Sequence, residues 1–303
     1  MRAGEPSRDE IVRLDFEVDA SLTLAELGEG PHDPTVRFER GVVWRALRTP
    51  AGLATTRIAR SAHDWRVTAW GPGADLALAA LPRLLGAEDD PAALVLPPGR
   101  LRELARRFAG LRFSRTDAVW PAVLVAVCGQ KVTAAQAHRA YYGVLRRWGE
   151  RAPGPRHLLV PPAAAVIAAL PYYELHSLGL EQRRALTLIH AANELSTGGP
   201  AVGSAEADLA RLGTIPGIGP WTLAEVARRA TGDPDAISVG DFHIPNIVCW
   251  ALAGEPRGDD ARMLELLEPY RGQRARVVRL LESAGIRAPR YGPRLGPQRI
   301  ERL

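Results

Sequence analysis

Apolar and polar residues alternate over 9–19, the two-residue period of a strand with one buried face. The same period recurs over 35–38, 41–48, 53–60 and 65–70, with turn formers such as Thr49-Pro50-Ala51-Gly52 between the runs. Gly71-Pro72-Gly73 then breaks the pattern, and a helix is expected over 74–85. Gly71-Pro72-Gly73 reads as a turn, because it lacks the lysine and longer glycine pattern of a phosphate loop. After Pro97-Pro98-Gly99 the period changes to three-to-four. Helices are expected over 99–109, 116–127, 132–149, 162–169, 181–195, 205–212, 220–231, 242–253, 259–267 and 271–284. The fold class is therefore α+β. An antiparallel sheet with a helix on one face spans 1–98, an all-helical domain spans 99–285, and 286–303, rich in Pro, Gly and Arg, forms a basic tail.

Composition narrows the function classes. The chain has 303 residues, 46% hydrophobic and 24% charged, enough for two domains of ordinary size. No apolar run reaches the roughly 18–20 residues of a membrane span, and the polar MRAGEPSRDE start has no apolar signal core, so a cytoplasmic protein without a membrane partner is expected. Cys128 and Cys249 are too few for an iron–sulfur cluster and show no zinc-ligand spacing. Both are expected as small buried residues, with no metal site. Residues 1–98 carry 11 basic and 15 acidic side chains, whereas 99–303 carry 28 and 19. The basic part suits a polyanion, and nucleic acid is the commonest one. Lys131 is the only lysine, so it is the one side-chain amine for any mechanism that needs one.

The most informative string is Leu209–Ala227, LARLGTIPGIGPWTLAEVA. One helix ends near Leu212, and a second starts at Pro220, a favoured first-turn residue. Between them Gly217 and Gly219 permit a sharp turn and close approach of the backbone to another surface, while Ile215 and Ile218 anchor the turn and Thr222 follows. The free N–H groups and positive dipole end at the second helix form an anion site that a DNA phosphate fits without any base being read. An ordinary turn between packed helices is the alternative. Asp241 lies 22 residues after Gly219, in Ser238-Val239-Gly240-Asp241-Phe242-His243, ahead of a helix. Taken alone it reads as a capping residue, a role compatible with chemistry at a mouth of the fold.

With this hairpin and the aspartate beyond it, the chain resembles the helix-hairpin-helix–GPD superfamily of DNA glycosylases, and within it the AlkA-type DNA-3-methyladenine glycosylase II family. Further matching strings are Gly110-Leu111-Arg112 leading to Gly129-Gln130, then Leu178-Gly179-Leu180, Arg183-Arg184-Ala185, Leu188-Ile189-His190 and Pro269-Tyr270-Arg271. The resemblance covers roughly 100–285, and the N-terminal sheet suits the family by pattern.

The resemblance implies a monomeric enzyme of base excision repair that acts on double-stranded DNA near the nucleoid. It would flip an alkylated base out of the stack and hydrolyse its N-glycosidic bond. Asp241 would be the catalytic carboxylate that stabilises an oxocarbenium-like sugar. Trp221 and Tyr270 would line the base pocket, where a cationic base gains from an aromatic face, with core packing as the alternative for each. Trp120 is a further pocket candidate for which core packing is the favoured reading. Gly217, Ile218, Gly219 and Thr222 of the hairpin, with Gln130 and Lys131 at the minor groove, would contact DNA. No cofactor is required, although a monovalent cation can sit on the hairpin carbonyls in relatives. Bifunctional members place a lysine two residues after the last hairpin glycine. Trp221 stands there, so no abasic-site lyase is expected.

Two departures bear on substrate range. A pocket aromatic of the family is Glu225 here, and the apolar duplex wedge is Lys131. Tyr173 is placed in the core or the cleft, His243 is read as solvent-facing or capping, and His176 and His190 as structural. The competing functions are a non-catalytic hairpin DNA binder and a glycosylase for a deaminated or oxidised base.

Overall fold

The computed structural model describes residues 7–61, 64–197 and 204–289. The expected sheet is present, with β1 (Ser7–Val12), β2 (Val36–Glu39), β3 (Val42–Thr49), β4 (Gly52–Ser61) and β5 (Asp64–Trp70) in the order β1-β5-β4-β3-β2, every pair antiparallel. Alternation along β5 puts Trp65, Val67 and Ala69 inward. They meet Val43 and Ile58 from neighbouring strands and Ala74, Leu78, Leu81 and Leu85 from the helical turns that follow the sheet. The strand expected over 9–19 stops at Val12. The chain then turns, and the Asp19 carboxylate accepts from the N–H groups of Ser21 and Leu22 to start the short helix α1 (Ala20–Thr23). The helix expected over 74–85 is two, α2 (Ala74–Ala79) and α3 (Leu81–Leu84), with Pro82 in the first turn of the second.

The helical part comprises α4 (Arg100–Arg107), α5 (Val119–Gly129), α6 (Ala134–Trp148), α7 (Ala164–Ala168), α8 (Tyr172–His176), α9 (Gln182–Thr197), α10 (Ala205–Leu212), α11 (Pro220–Ala230), α12 (Ile244–Ala253), α13 (Asp260–Leu267) and α14 (Arg274–Ser283). No expected helix covers α8, which is one turn long and too short to show a period. A small ladder also goes unread: β6 (Glu150–Arg151) pairs with β7 (Leu159–Val160). Ala152, Leu158 and Val160 pack there on Trp44 and Ala46, and so cover the face of β3 opposite Val43. Two residues per strand carry no readable alternation. No helix among the described residues is long and apolar enough to cross a membrane.

Two apolar cores divide the helices. One joins α5 and α6 with α9 and the hairpin, through Val123, Leu124, Leu188, Leu212, Ile215, Ile218 and Val226. The other joins α4 with α12, α13 and α14, through Leu104, Val248, Met263, Leu267, Val277 and Leu281. Ile286 belongs to this second core and is buried, so the ordered chain extends past the expected start of the tail at 286. From residue 290 onward the tail lies outside the described residues. Cys128 and Cys249 are free and buried as expected, and burial pushes the Cys128 thiol up to about 12, which keeps it protonated and unreactive.

Candidate active site

The hairpin between α10 and α11 packs on the first core. Ile215 and Ile218 are buried and pin the turn to the first core. Gly217 has φ +92°, and an added Cβ would run into the Thr187 side chain, so both conformation and space demand glycine there. Gly219 differs. Its φ is −106° and an added Cβ would meet open space, so the fold itself leaves that side of the chain free. The first-turn N–H groups of α11, including those of Trp221 and Thr222, have no helical carbonyl to reach.

Trp221, one residue past Pro220, is half-buried. Its ring lies against Gly129, where an added Cβ would sit 3.5 Å from Cη2. Its indole Nε1–H donates to Asp241 Oδ2 at 3.2 Å. The other carboxylate oxygen of Asp241, Oδ1, accepts from the N–H of His243 at 2.7 Å and of Ile244 at 2.9 Å. Asp241 therefore satisfies backbone N–H groups at the start of α12 from two residues ahead of the N-cap position, which His243 occupies. It caps the helix start without being the N-cap residue itself. It also stands at the meeting of the cores, with Trp221 on the first and α12 in the second. The cap orients Oδ1 and the indole orients Oδ2, and the residue is half-exposed.

Several site residues act differently from expectation. Gln130 was expected as a groove probe, but its amide donates to Gly217 O at 2.9 Å and Thr222 Oγ1 at 2.8 Å, tying the end of α5 to the hairpin. Thr222 is 2% exposed, so its side chain supports the hairpin and offers no surface to DNA. Ile218 is likewise buried, in the first core. Trp120 donates its indole N–H to Pro162 O at 2.7 Å and packs on the first core. About 13 Å of helix axis separates it from Gly129 beside Trp221. Tyr270 packs on the second core. Tyr173 is 61% exposed and not a core residue.

Lys131 is exposed, with φ +55°, one of three described non-glycine residues in left-handed backbone. His243 is exposed, as expected, and its ring edge meets Phe242, which is 79% exposed beside Asp241.

Three supports went unread in the sequence. Arg184, noted there only within a matching string, is buried and donates to Cys128 O at 3.1 Å and Gly179 O at 2.9 Å. It thereby satisfies a carbonyl of the last turn of α5. Glu225 is buried and accepts from Ser238, Arg228 and Arg229. Asp235 accepts from the N–H groups of Gly272 and Arg274 and from the Arg274 guanidinium, which fastens the loop before Asp241 to the start of α14.

Burial alone would raise the Asp235 pKa, yet the Arg274 guanidinium and these N–H groups hold it below the ordinary range. A depressed carboxylate adds stability that is present above its unfolded value of about 3.9 and lost as pH falls through the lower folded value. Asp235→Asn should therefore cost about 2 kcal/mol at pH 7. The gap from wild type should close below about pH 4, as read by denaturant unfolding across pH. A gap that persists at low pH would mean that the carboxylate charge is not its source.

Comparisons with known proteins follow the same lines. No family model matches the chain. It is 31% identical over 150 residues to DNA-3-methyladenine glycosylase 2 of Escherichia coli (strain K12), a stretch that is 48% of this chain and 53% of that protein. The chain thus spans about half the length of the curated relative it matches. In structure it is similar to the 3-methyladenine DNA-glycosylase from Archaeoglobus fulgidus, with a TM-score of 0.73 and 18% identity over 91% of this chain and 98% of that one. It is also similar to the Clostridium acetobutylicum 8-oxoguanine glycosylase/lyase in complex with double-stranded DNA, with a TM-score of 0.68 and 10% identity over 93% and 99%. The likeness to the E. coli protein bears out the resemblance drawn from the hairpin and the aspartate, and the solved structures bear out the α+β fold.

Proposed function

We propose that this protein is a monofunctional DNA glycosylase that hydrolyses the N-glycosidic bond of alkylated, 3-methyladenine-like bases in duplex DNA. The observation that carries this reading is the Asp241 carboxylate. It is held by an indole N–H and two backbone N–H groups, half-exposed where the two helical cores meet beside the hairpin. The name of the E. coli relative supports the substrate class.

The mechanism follows from these groups. A phosphate rests on the free N–H groups before and within the first turn of α11, where the open side of Gly219 lets the backbone come close. The damaged nucleotide leaves the stack at a cost of a few kcal/mol, least for a weakly paired base. Alkylation at a ring nitrogen makes the base cationic, and the Trp221 ring offers a π face worth roughly 0.5–2 kcal/mol. The glycosidic bond breaks as positive charge develops on the sugar. Asp241 stabilises that charge, and water completes the displacement. Because the leaving group is already cationic, it needs no strong acid, and one carboxylate suffices. Trp221 occupies the position where a lyase would hold its lysine, so the backbone is left uncut. The carbonyls of Leu212, Ile215 and Gly217 each accept one hydrogen bond and keep a second lone pair, which suits a monovalent cation that would help to hold a phosphate.

The test is release of free bases from methylated duplex DNA, with an abasic duplex assayed for nicking. Release of 3-methyladenine without nicking is the expected result, and DNA binding without release would sink the proposal.

Lys131 gives a second prediction. Glycine adopts φ +55° without the penalty of a Cβ, so Lys131→Gly should leave unfolding stability within about 1 kcal/mol of wild type. If the amine meets a phosphate, affinity should fall and the slope of log affinity against log salt should flatten by about 0.9. An unchanged slope would remove Lys131 from the interface.

A further inference from the structure

We infer that Ser238 is a positioning residue for Asp241, anchored through Glu225 to a buried ionic cluster that the N-terminal part of the chain completes. This rests on the glycosylase reading and deepens it. Ser238 is 3% exposed, and its hydroxyl donates to Glu225 Oε1 at 2.6 Å. Its carbonyl accepts from the N–H of Asp241 at 3.1 Å. Only Val239 and Gly240 intervene. Gly240 has φ +93° with open space where a Cβ would go, and its N–H donates to Asp260 Oδ1 at 3.0 Å. A glycine so placed turns the chain sharply and adds no side-chain packing of its own. Ser238 is thus the nearest buried side-chain anchor before Asp241, and it bridges a fixed carboxylate and the turn that aims the catalytic one.

Glu225 is fixed in turn. Its carboxylate accepts from Arg228 and Arg229. Arg229 reaches Glu29, and Arg228 and Arg279 both reach Glu26. Glu225, Glu26 and Glu29 are thus paired with Arg228, Arg229 and Arg279, and Glu282 adds its charge beside Arg279. Glu26 and Glu29 come from the segment between α1 and β2, so the N-terminal part supports the site through this cluster. Glu225, which stands where the resemblance puts a pocket aromatic, therefore serves the aspartate loop and not the base. The functional need is positional, because a catalytic group misplaced by a fraction of an ångström loses much of its effect.

The experiment uses the full chain with Ser238→Ala and Ser238→Thr, the latter keeping the hydroxyl. Amide hydrogen exchange is followed at His243 and Ile244, the donors to Asp241 Oδ1, together with single-turnover base release, DNA affinity and thermal midpoint. Ser238→Ala should speed exchange at these two amides about tenfold and slow release about tenfold, the loss expected for one buried hydrogen bond. DNA affinity should stay within about twofold, since no phosphate contact is removed. Ser238→Thr should restore both rates. Unchanged exchange at His243 and Ile244 in Ser238→Ala would overturn the inference. So would slower release that only tracks a fall in the folded fraction. If the wild type releases no methylated base, the glycosylase reading fails by itself. The exchange rates still decide whether Ser238 holds the Asp241 turn.

Discussion

Asp241→Asn should fold as the wild type does and lose base release by about 10³-fold or more, the scale of removing a preorganised electrostatic group from a transition state. The asparagine carbonyl can still accept from the N–H groups of His243 and Ile244, so the cap on α12 persists. The amide nitrogen then faces the Trp221 indole N–H, donor against donor, at a cost of about 1 kcal/mol. What disappears is the negative charge beside the developing sugar cation. Asp241→Ala removes the cap as well and should cost about 1 kcal/mol more stability than the asparagine. Single-turnover release of 3-methyladenine from methylated duplex, alongside thermal unfolding of each variant, separates the two effects. Asparagine releasing base at the wild-type rate would reduce Asp241 to a capping residue.

Arg229→Met should destabilise the protein by about 3–5 kcal/mol, the usual cost of breaking a buried ion pair from one side. The Arg229 guanidinium joins Glu225 to Glu29, with side chains 18%, 11% and 19% exposed. Burial alone would weaken its hold on the proton, but the two carboxylates raise its pKa above the ordinary arginine value. Without it Glu29 loses its guanidinium partner, and Glu225 keeps Arg228 and the Ser238 hydroxyl. The thermal midpoint should fall by roughly 10 °C for a chain of this size. Adding Glu29→Met should recover part of the loss, because the second change removes the stranded charge. Single and double variants that lose stability additively would show that the two groups are not coupled.

The sequence was readable where local chemistry decides structure. Alternation located four of the five strands to within a residue or two, because one face of each is buried. Proline and glycine marked the hairpin, and Pro220 marked the start of α11, because those residues restrict or free the backbone wherever they stand. The position of Asp241 was legible from its spacing to the hairpin and from its place before a helix. Its role as a cap follows from residue type, and the expectation of catalysis follows from resemblance.

Roles that depend on distant partners were not legible. Gln130 looks like a free polar probe at a helix end, but its amide meets groups 87 and 92 residues away. Trp120 reads as a core or a cleft aromatic, and only the fold shows that it packs on the first core with its N–H on Pro162. Glu225 reads as a departure from the resemblance; Arg228 and Arg229 reach it along one helix face, but only packing brings Ser238, and the Glu26 and Glu29 partners of those arginines, into the cluster. Ile286 sits in a Pro- and Arg-rich stretch, yet the second core buries it.

Local sequence settles the order of elements, the hairpin and the candidate carboxylate, since periodicity, turn chemistry and spacing are properties of neighbouring residues. Which polar side chains face outward toward a ligand, and which are committed to one another, depends on how the elements pack. A hydrogen bond or ion pair between residues far apart in sequence forms only where folding has removed water and set donor against acceptor.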